Sequence, residues 1–342
     1  MPISKAESSF IRASFLSNPP QRNDGRALNE FRAIAIQAGG DVAPLANGSA
    51  KINLGGTEVI AAIKLEAENI ANAGGMSGAI GAGVEESLGR DGGRVSCTVS
   101  CSQSAYPHKL SQELDAISSD LSALLTPALS SALTPSPQLT IVPGRKSWLL
   151  NIDALVLTDN GNIFDAITLA IRAALWDLRI PRTRGIEFEA RESRDERSGV
   201  QDSMKALLKG SGGGRKKAIA GAEFDLEDYW DEGEHLTART ALPIGITFNL
   251  VDPTSFLDAT AQEEESAPDR LHLIYSFSSL EPSKSSQPGK LHGFQLVGPG
   301  EVPFSRIKPL LAESESHARA LSSAVHNMLA AEEAKSLALS HR

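Results

Sequence analysis

The stretch TDNGNIFDAITLAIRAALWDL, residues 158–178, decides the fold of this chain. Its first residues are typical of a turn, and residues 165–178 are apolar around nearly the whole helical circumference, which predicts a buried helix. Asn162 is placed to cap this helix. A strand, a glycine turn and a buried helix in this order present backbone N–H groups to an anion. The stretch therefore predicts both a core helix and a candidate anion site.

Short alternating apolar runs on both sides of this helix predict β-strands. The predicted strands are residues 31–39, 48–55, 57–66, 95–102, 136–144, 147–158, 241–251, 255–260 and 271–279. Helical spacing predicts three further helices. They are residues 4–16 with Phe10, Ile11 and Phe15 on one side, a helix from about Ser111 with Leu114, Ile117, Leu121 and Leu124, and residues 315–334 with Ala318, Leu321, Val325 and Met328 inward. The order predicts an α+β fold in two similar halves.

Composition along the chain predicts four regions. Residues 1–28 form a leader helix and a basic turn, and residues 29–187 form the first half. Residues 188–235 carry charge runs and the stretch KGSGGGRKK with little periodicity, which is typical of a flexible insertion. Residues 236–342 form the second half, which ends in the C-terminal helix.

Charge and hydropathy exclude several classes of protein. The chain has 342 residues and a net charge of −9, whereas a free-standing nucleic-acid binder usually carries a basic excess. The acid is unevenly placed, with six acidic residues in FDLEDYWDEGE, residues 224–234, so a local basic surface is compatible with this balance. No apolar run approaches the roughly 20 residues of a membrane span, and the N-terminus does not resemble a signal peptide. Cys97 and Cys101 are too far apart on a strand for a disulfide, which favours a reduced intracellular setting.

Motifs for cofactors and metals are not matched. The stretch KGSGGGRKK has Arg215 where a phosphate loop needs glycine, and the glycines at 74–83 do not form GxGxxG. The histidines have no zinc-site spacing, so neither a cofactor nor a metal is expected. Asp258 with Glu263 and Glu264 could hold Mg²⁺, but a solvated acidic turn is the favoured interpretation.

A basic cluster precedes the first predicted strand. Arg22, Asp24, Arg26 and Arg32 surround Gly25 within eleven residues. Such a cluster could bind an anion, or it could hold the start of the domain in place by ion pairs.

Four motifs in order resemble the RNase PH family. They are RNDGRALNEFR, ANGSAKINLGGTEVIAAIKLE, DNGNIFDAITLAIRAALWDLRIPR and FLDATAQEEES, and the resemblance covers about residues 5–185 and 236–330. Within the family the chain most resembles the non-catalytic ring subunits of the eukaryotic RNA exosome. The leader and FLDATAQEEE resemble one of these paralogues in particular.

The resemblance implies an RNase PH-like fold of two βαβα-type halves with mixed sheets and packed helices. It also implies a place in a hetero-hexameric ring of RNase PH-like subunits, which carries RNA-binding cap subunits. Single-stranded RNA threads through the ring to a separate hydrolytic exonuclease. We therefore expect a role in 3′→5′ RNA processing and decay, in the nucleus and nucleolus and also in the cytoplasm.

The resemblance also bears on catalysis. Active members bind phosphate through an arginine at the position of Ile163, and Asp165 would repel a second anion. Their two metal-binding aspartates correspond to Asp258 and Glu264, of which the second is one methylene longer. We expect an inert site, and the alternative is an active phosphate-dependent 3′→5′ exoribonuclease.

The remaining basic residues are assigned on the same resemblance. The arginines around Gly25 are interpreted as structural, with Asp24 pairing one or two of them, although an RNA contact by Arg22 or Arg26 stays open. The candidate RNA contacts are His108 and Lys109, where the family has its channel loop, followed by Arg145 and Lys146.

Overall fold

A computed structural model describes residues 3–39, 41–70, 92–134, 136–186, 223–230, 232–279 and 287–340. Its helices are α1 (Lys5–Phe15), α2 (Ser111–Leu133), α3 (Ile163–Asp177), α4 (Ala261–Ser266) and α5 (Phe304–Ser340). Its strands are β1 (Ile34–Ala38), β2 (Gly48–Leu54), β3 (Thr57–Asn69), β4 (Arg94–Cys101), β5 (Thr140–Val142), β6 (Lys146–Thr158), β7 (Arg179–Ile180), β8 (Thr183–Ile186), β9 (Glu223–Leu226), β10 (Glu234–His235), β11 (Ile244–Val251), β12 (Thr254–Leu257), β13 (Arg270–Ser276) and β14 (Lys290–Val297).

The first sheet is mixed and has the strand order β1-β2-β3-β6-β4, with β5 also paired to β6. Its strands are antiparallel to their neighbours except β4, which runs parallel to β6. Along β3, a strand predicted from the sequence, the alternation buries Val59, Ala61, Ile63 and Leu65 on one face. Ile63 pairs with Ile152 of β6, which also points to the core.

The second sheet has the order β12-β11-β13-β14 and is antiparallel throughout. All eight residues of β11 are buried, so this strand is covered on both faces. The strand β14 was not predicted from the sequence. Gly293 interrupts its middle and its side chains are only half-buried or exposed, so it lacks the apolar alternation by which strands are recognised.

The helix α3 lies against both sheets, and its residues 164–176 are all buried. The predicted buried helix is therefore confirmed, with its start at Ile163. Two glycines permit the close approach: a Cβ on Gly48 would lie 2.5 Å from the Ala174 carbonyl oxygen, and one on Gly245 would lie 2.5 Å from Thr168 Oγ1. One continuous apolar core consequently includes side chains from both sheets.

The leader helix α1 packs on the second sheet. Ser4 and Glu7 form a capping box at its start. Ile11 and Phe15 are buried, and the Phe15 ring stacks on Phe256 with centroids 4.2 Å apart. The prediction that Phe10 shares this face is wrong, because Phe10 is 67% exposed.

The C-terminal helix α5 begins at Phe304, earlier than the periodicity predicts. Ala318, Leu321 and Val325 are buried as expected. The predicted inward residue Met328 is half-exposed, and its neighbour Leu329 takes the core position instead.

The predicted insertion, residues 188–235, falls largely outside the described residues, as do the stretch KGSGGGRKK with Arg215 and the glycines at 74–83. Its last residues are ordered against the first half, since β9 pairs with β8 and β10 pairs with β7. Two described strands, Glu223–Leu226 and Glu234–His235, therefore lie inside the predicted insertion. Among the described helices, none is long and apolar enough to cross a membrane.

Candidate functional site

The candidate site is built around Asp258, which directly follows β12. Asp258 is fully buried and adopts a left-handed backbone conformation with φ of 46°. Its carboxylate accepts hydrogen bonds from Arg32 Nη2 at 2.8 Å, Arg32 Nε at 3.0 Å and the Arg32 backbone N–H at 2.6 Å. Arg26 Nη1 at 2.9 Å and Asn162 Nδ2 at 3.0 Å complete the set. The carboxylate is thus saturated by donors from its own chain.

This environment keeps Asp258 ionised. Burial by itself would raise the pKa of Asp258, but the hydrogen bonds and charge of Arg32, with the Asn162 bond, hold that pKa below its usual value. Any cation would have to displace two guanidinium groups to reach the carboxylate.

The basic turn of the leader supplies part of this cluster. Gly25 has φ of 78°, and Asp24 Oδ2 lies 2.6 Å from Arg26 Nε. Arg22 is buried and donates to both carboxylate oxygens of Glu263, at 3.0 and 2.6 Å. The cluster predicted to form ion pairs therefore pairs within itself and also with acidic residues of the second half.

Arg32 links three separate segments at this point. Besides Asp258, its guanidinium donates to the carbonyl oxygens of Gly55, Asn160 and Gly161. Gly161 has φ of 91°, and a Cβ there would lie 2.5 Å from the Ala259 carbonyl oxygen. Only glycine fits this approach of the turn before α3 to the end of β12.

The start of α3 already holds carboxylates. Glu264 Oε1 accepts from the Asn162 backbone N–H at 2.8 Å, and Glu264 Oε2 lies 3.1 Å from Arg270 Nη1. Asn162 occupies the predicted capping position but makes no side-chain cap bond; its amide instead donates to Asp165 Oδ2 at 2.9 Å and to Asp258. Where an anion would meet the helix, the chain already places its own carboxyl groups.

A buried polar chain extends from this helix start into the second sheet. Thr247 Oγ1 donates to Asp165 Oδ1 at 2.7 Å and lies 3.0 Å from His272 Nδ1. Burial raises the pKa of Asp165 to about 7, with the Thr247 and Asn162 bonds opposing it. Burial lowers the pKa of His272 to about 3. At neutral pH the histidine is therefore uncharged.

The favoured prediction of a solvated acidic turn at 258–264 is wrong. Asp258 is fully buried and Glu263 is 2% exposed, because each is paired with an arginine of the leader region. Burial also raises the pKa of Glu264, against the charge of Arg270. Within the described ranges, no three His, Cys, Asp or Glu side chains are grouped so that they could hold a metal ion.

The candidate RNA contacts lie at opposite ends of the first sheet. The loop with His108 and Lys109 follows β4, whose Cys101 pairs with Val156 near the site end of β6. Lys109 Nζ lies 5.0 Å above the Tyr106 ring, and burial and a hydrogen bond to Asp159 raise the pKa of Tyr106. This loop therefore flanks the site.

Arg145 directly precedes β6 and Lys146 is its first residue. Both therefore lie about 40 Å along the strand from the end of β6 that is near the site. Lys146 Nζ there lies 5.0 Å above the Phe224 ring. The structure brings only the first pair of RNA candidates near the site.

Several members of the site were missed by sequence reasoning. Thr247 and His272 lie in strongly apolar strands, and Arg270 begins one of them. A polar residue inside a fully buried strand requires a partner, and this was the available signal. The identity of that partner could not be inferred from the sequence, because Asp165 lies 82 residues from Thr247.

Comparison with known proteins gives consistent matches. The profile described as "3' exoribonuclease family, domain 1" (RNase_PH) matches residues 30–181. The exosome complex component Rrp42 of Methanothermobacter thermautotrophicus is 30% identical over 233 residues, which cover 68% of this chain and 77% of the relative. The Rrp42 of Methanocella arvoryzae is 24% identical over 307 residues, covering 90% and 91%. The leader and residues 256–265 resemble ribosomal RNA-processing protein 42 in particular. This resemblance is confirmed by the two relatives, which carry the name Rrp42.

Solved structures show the same fold. A chain of the Archaeoglobus fulgidus exosome with RNA bound to the active site superposes with a TM-score of 0.61 at 20% identity, covering 93% of this chain and 97% of that one. A chain of an archaeal exosome core gives 0.59 at 19% identity, with 94% and 96% covered. The predicted α+β fold of RNase PH type is confirmed.

Proposed function

Because the chain belongs to the RNase PH family, we propose that it is a non-catalytic subunit of an RNA exosome ring. The names of its relatives and its likeness to exosome core chains support this role. It completes the ring with other RNase PH-like subunits and lines the channel during 3′→5′ RNA processing and degradation, including rRNA maturation, RNA surveillance and mRNA turnover.

The observation that carries the inert assignment is the saturated carboxylate of Asp258. Two arginines and one asparagine donate five hydrogen bonds of 2.6–3.0 Å to its two oxygens. A metal-binding carboxylate must keep lone pairs free for the cation. Here those lone pairs serve to hold the two halves of the chain together.

The binding of inorganic phosphate, which the reaction also needs, is opposed at the start of α3. Glu264 accepts from the backbone N–H of Asn162, and Asp165 lies in the first turn of α3. Inorganic phosphate would therefore find the Asn162 N–H already occupied by Glu264, with Ile163 where a guanidinium would be needed.

The wider assembly is part of the same proposal. Single-stranded RNA passes the loop of His108 and Lys109, RNA-binding cap subunits cover the ring, and a hydrolytic exonuclease degrades the emerging strand. The protein then works in the nucleus and nucleolus and in the cytoplasm. Lys109 is the better placed RNA contact because its loop flanks Asp159 at the site.

The test is a reconstituted ring in which every other RNase PH-like subunit has been inactivated and the hydrolytic exonuclease is left out. We measure release of nucleoside diphosphates from single-stranded RNA with Mg²⁺ and phosphate. We expect none above background from wild type, and the same from Glu264→Gln. A ring with one active neighbour is the positive control.

Phosphate-dependent release by the wild-type ring that Glu264→Gln abolishes would establish the alternative, an active phosphate-dependent exoribonuclease. Failure of the chain to enter the ring in mass photometry, with its fold intact, would refute the structural role itself.

A further inference from the structure

An exposed pair of aromatic residues lies in the segment between β9 and β10. We name residues 227–230 and 232–234 the aromatic strap; it carries Tyr229 and Trp230. We propose that the aromatic strap docks an extended, arginine- or lysine-rich peptide segment of a protein partner. This surface is separate from the site around Asp258 and from the function proposed above.

The backbone of the aromatic strap is held in place at several points. The Glu227 N–H donates to the Arg182 carbonyl oxygen at 3.0 Å, and Asn47 Nδ2 donates to the Trp230 carbonyl oxygen at 2.7 Å. At its end, β10 pairs with β7, where Gly233 has φ of 138° and leaves no room for a Cβ beside Ile180. The strap is therefore a fixed surface on which a partner can dock without first ordering the backbone.

The aromatic side chains remain in solvent although their backbone is fixed. Tyr229 is 75% exposed and Trp230 is 41% exposed. Trp148 and Trp176, by contrast, are buried in the core. Tyrosine and tryptophan provide large contact areas with few rotatable bonds, and both are enriched at the centres of protein interfaces.

Charge on the strap indicates what the partner carries. Asp228 and Glu234 pair with Arg182, at 3.6 and 3.0 Å. Glu227 and Glu232 are exposed on either side of the aromatic pair, and neither has an ion-pair partner among the residues that the structure describes. A cation that lies on the aromatic faces would meet a free carboxylate on each side.

Two nearby cations are already engaged, since Arg182 is held by its two carboxylates and Lys146 lies over Phe224. Arg184 is exposed and stands opposite Asp225 in the register of β8 and β9. The strap therefore presents unpaired negative charge, which disfavours RNA and favours a cationic peptide.

A cavity beside the strap gives such a peptide an anchoring place. It measures about 330 Å³, and its lining includes the apolar side chains of Trp148 and Pro181, the carboxylate of Glu227, which is unpaired among the described residues, and the ion pair of Arg182 with Glu234. The aliphatic stem of an arginine or lysine fits the apolar wall while its charged end reaches a carboxylate. The aromatic pair and this cavity together suit a segment with several spaced cations.

The test uses the full-length chain and a fluorescein-labelled peptide of six Arg-Gly repeats, with fluorescence anisotropy as the readout. Its matched probe has six Gln-Gly repeats. We expect the Arg-Gly peptide to bind and the double variant Tyr229→Ala/Trp230→Ala, which changes no charge, to bind it about tenfold more weakly. The matched control Glu301→Gln/Phe304→Ala removes an exposed acid and an exposed aromatic elsewhere and should bind like wild type.

A second variant, Glu227→Gln/Glu232→Gln, keeps the aromatic residues and should also weaken binding, with an unchanged thermal midpoint as evidence of folding. Equal affinity of the wild type and both strap variants would overturn the proposal. It would also be overturned if labelled polyuridylate bound at the strap with the same dependence on Tyr229 and Trp230. If the peptide bound only after deletion of residues 209–217, the chain's own basic segment would be the occupant instead.

Discussion

Arg32 and Asp258 form a two-point ion pair across 226 residues of sequence, with Nη2 and Oδ1 2.8 Å apart and Nε and Oδ2 3.0 Å apart. Both groups are nearly or fully buried. The pair joins the segment before β1 to the end of β12, so it fastens the first half of the chain to the second. The carboxylate of Asp258 is thus a structural joint between the two halves.

Removing this carboxylate should be strongly destabilising. Asp258→Ala leaves the nearly buried Arg32 without its counter-charge, whereas Arg26 keeps its pair with Asp24, and we expect a loss of about 3–5 kcal/mol in the free energy of unfolding. Urea unfolding followed by fluorescence measures it. The control Glu58→Ala breaks the more exposed Lys51–Glu58 pair, 3.2 Å apart, and should cost at most about 1 kcal/mol. Similar losses for the two variants would contradict the structural role of Asp258.

The leader helix should contribute through one aromatic contact. Phe15→Ala removes a ring that stacks on Phe256 and leaves a cavity, so we expect a loss of about 3–5 kcal/mol. Phe10→Ala is the matched control, since Phe10 lies on the same helix but is 67% exposed. Chemical unfolding of both variants compares them, and a Phe10 effect as large as that of Phe15 would show that the leader packs differently.

The pH dependence of stability should reveal the buried carboxyl of Asp165. Its folded-state pKa of about 7 is raised by burial, so between about pH 4 and pH 7 the folded state holds a proton that the unfolded state has lost. Asp165 therefore makes stability fall as the pH rises through this window. The contribution is fully present below the unfolded pKa and is lost by about pH 7.

The variant Asp165→Asn isolates this effect. We subtract the free energy of unfolding of the variant from that of wild type. From pH 4.5 to 6.5 this difference should fall by about 1.4 kcal/mol per pH unit. The difference is needed because His272, whose pKa is lowered to about 3, makes stability rise with pH over the same range. Asp115→Asn, at an exposed position, is the control. A flat difference for Asp165→Asn would mean that Asp165 is ionised in the folded protein.

Arg172 should be replaceable without loss of stability. It is fully buried in α3, donates to the Leu242 carbonyl oxygen, and has no partner for Nε or Nη2 in the part of the chain that the structure describes. A buried charge without a counter-ion is costly. The free energy of unfolding of Arg172→Met should therefore equal that of wild type or exceed it by up to about 2 kcal/mol.

The matched variant for this comparison is Arg239→Met. Arg239 pairs with Glu333 at 3.0 Å and lies 4.7 Å from the Trp176 ring centroid, so this variant should cost about 1 kcal/mol. Thermal unfolding compares the two variants. A larger loss for Arg172→Met would indicate a counter-ion for that guanidinium.

The local sequence pattern was sufficient to predict those helices and strands whose residues are buried periodically or completely. The helix α3 is stable only inside a core because it is apolar nearly all round, and the alternation along β3 permits only one register. Where the pattern weakens, prediction failed. The half-exposed strand β14 was missed, and Phe10 was placed on the wrong side because a short helix has several plausible apolar faces.

The candidate site could be named from the sequence but not understood from it. Asp258, Glu264 and the arginines around Gly25 stand out in the local sequence, whereas Ile163 was singled out by the family resemblance. That Arg32 and Arg26 saturate Asp258 was decided by the tertiary structure, because these partners come from opposite ends of the chain. Spacing along a chain constrains neighbours within a few residues, whereas the partner of a buried charge is set by which distant turns the packed core brings into contact.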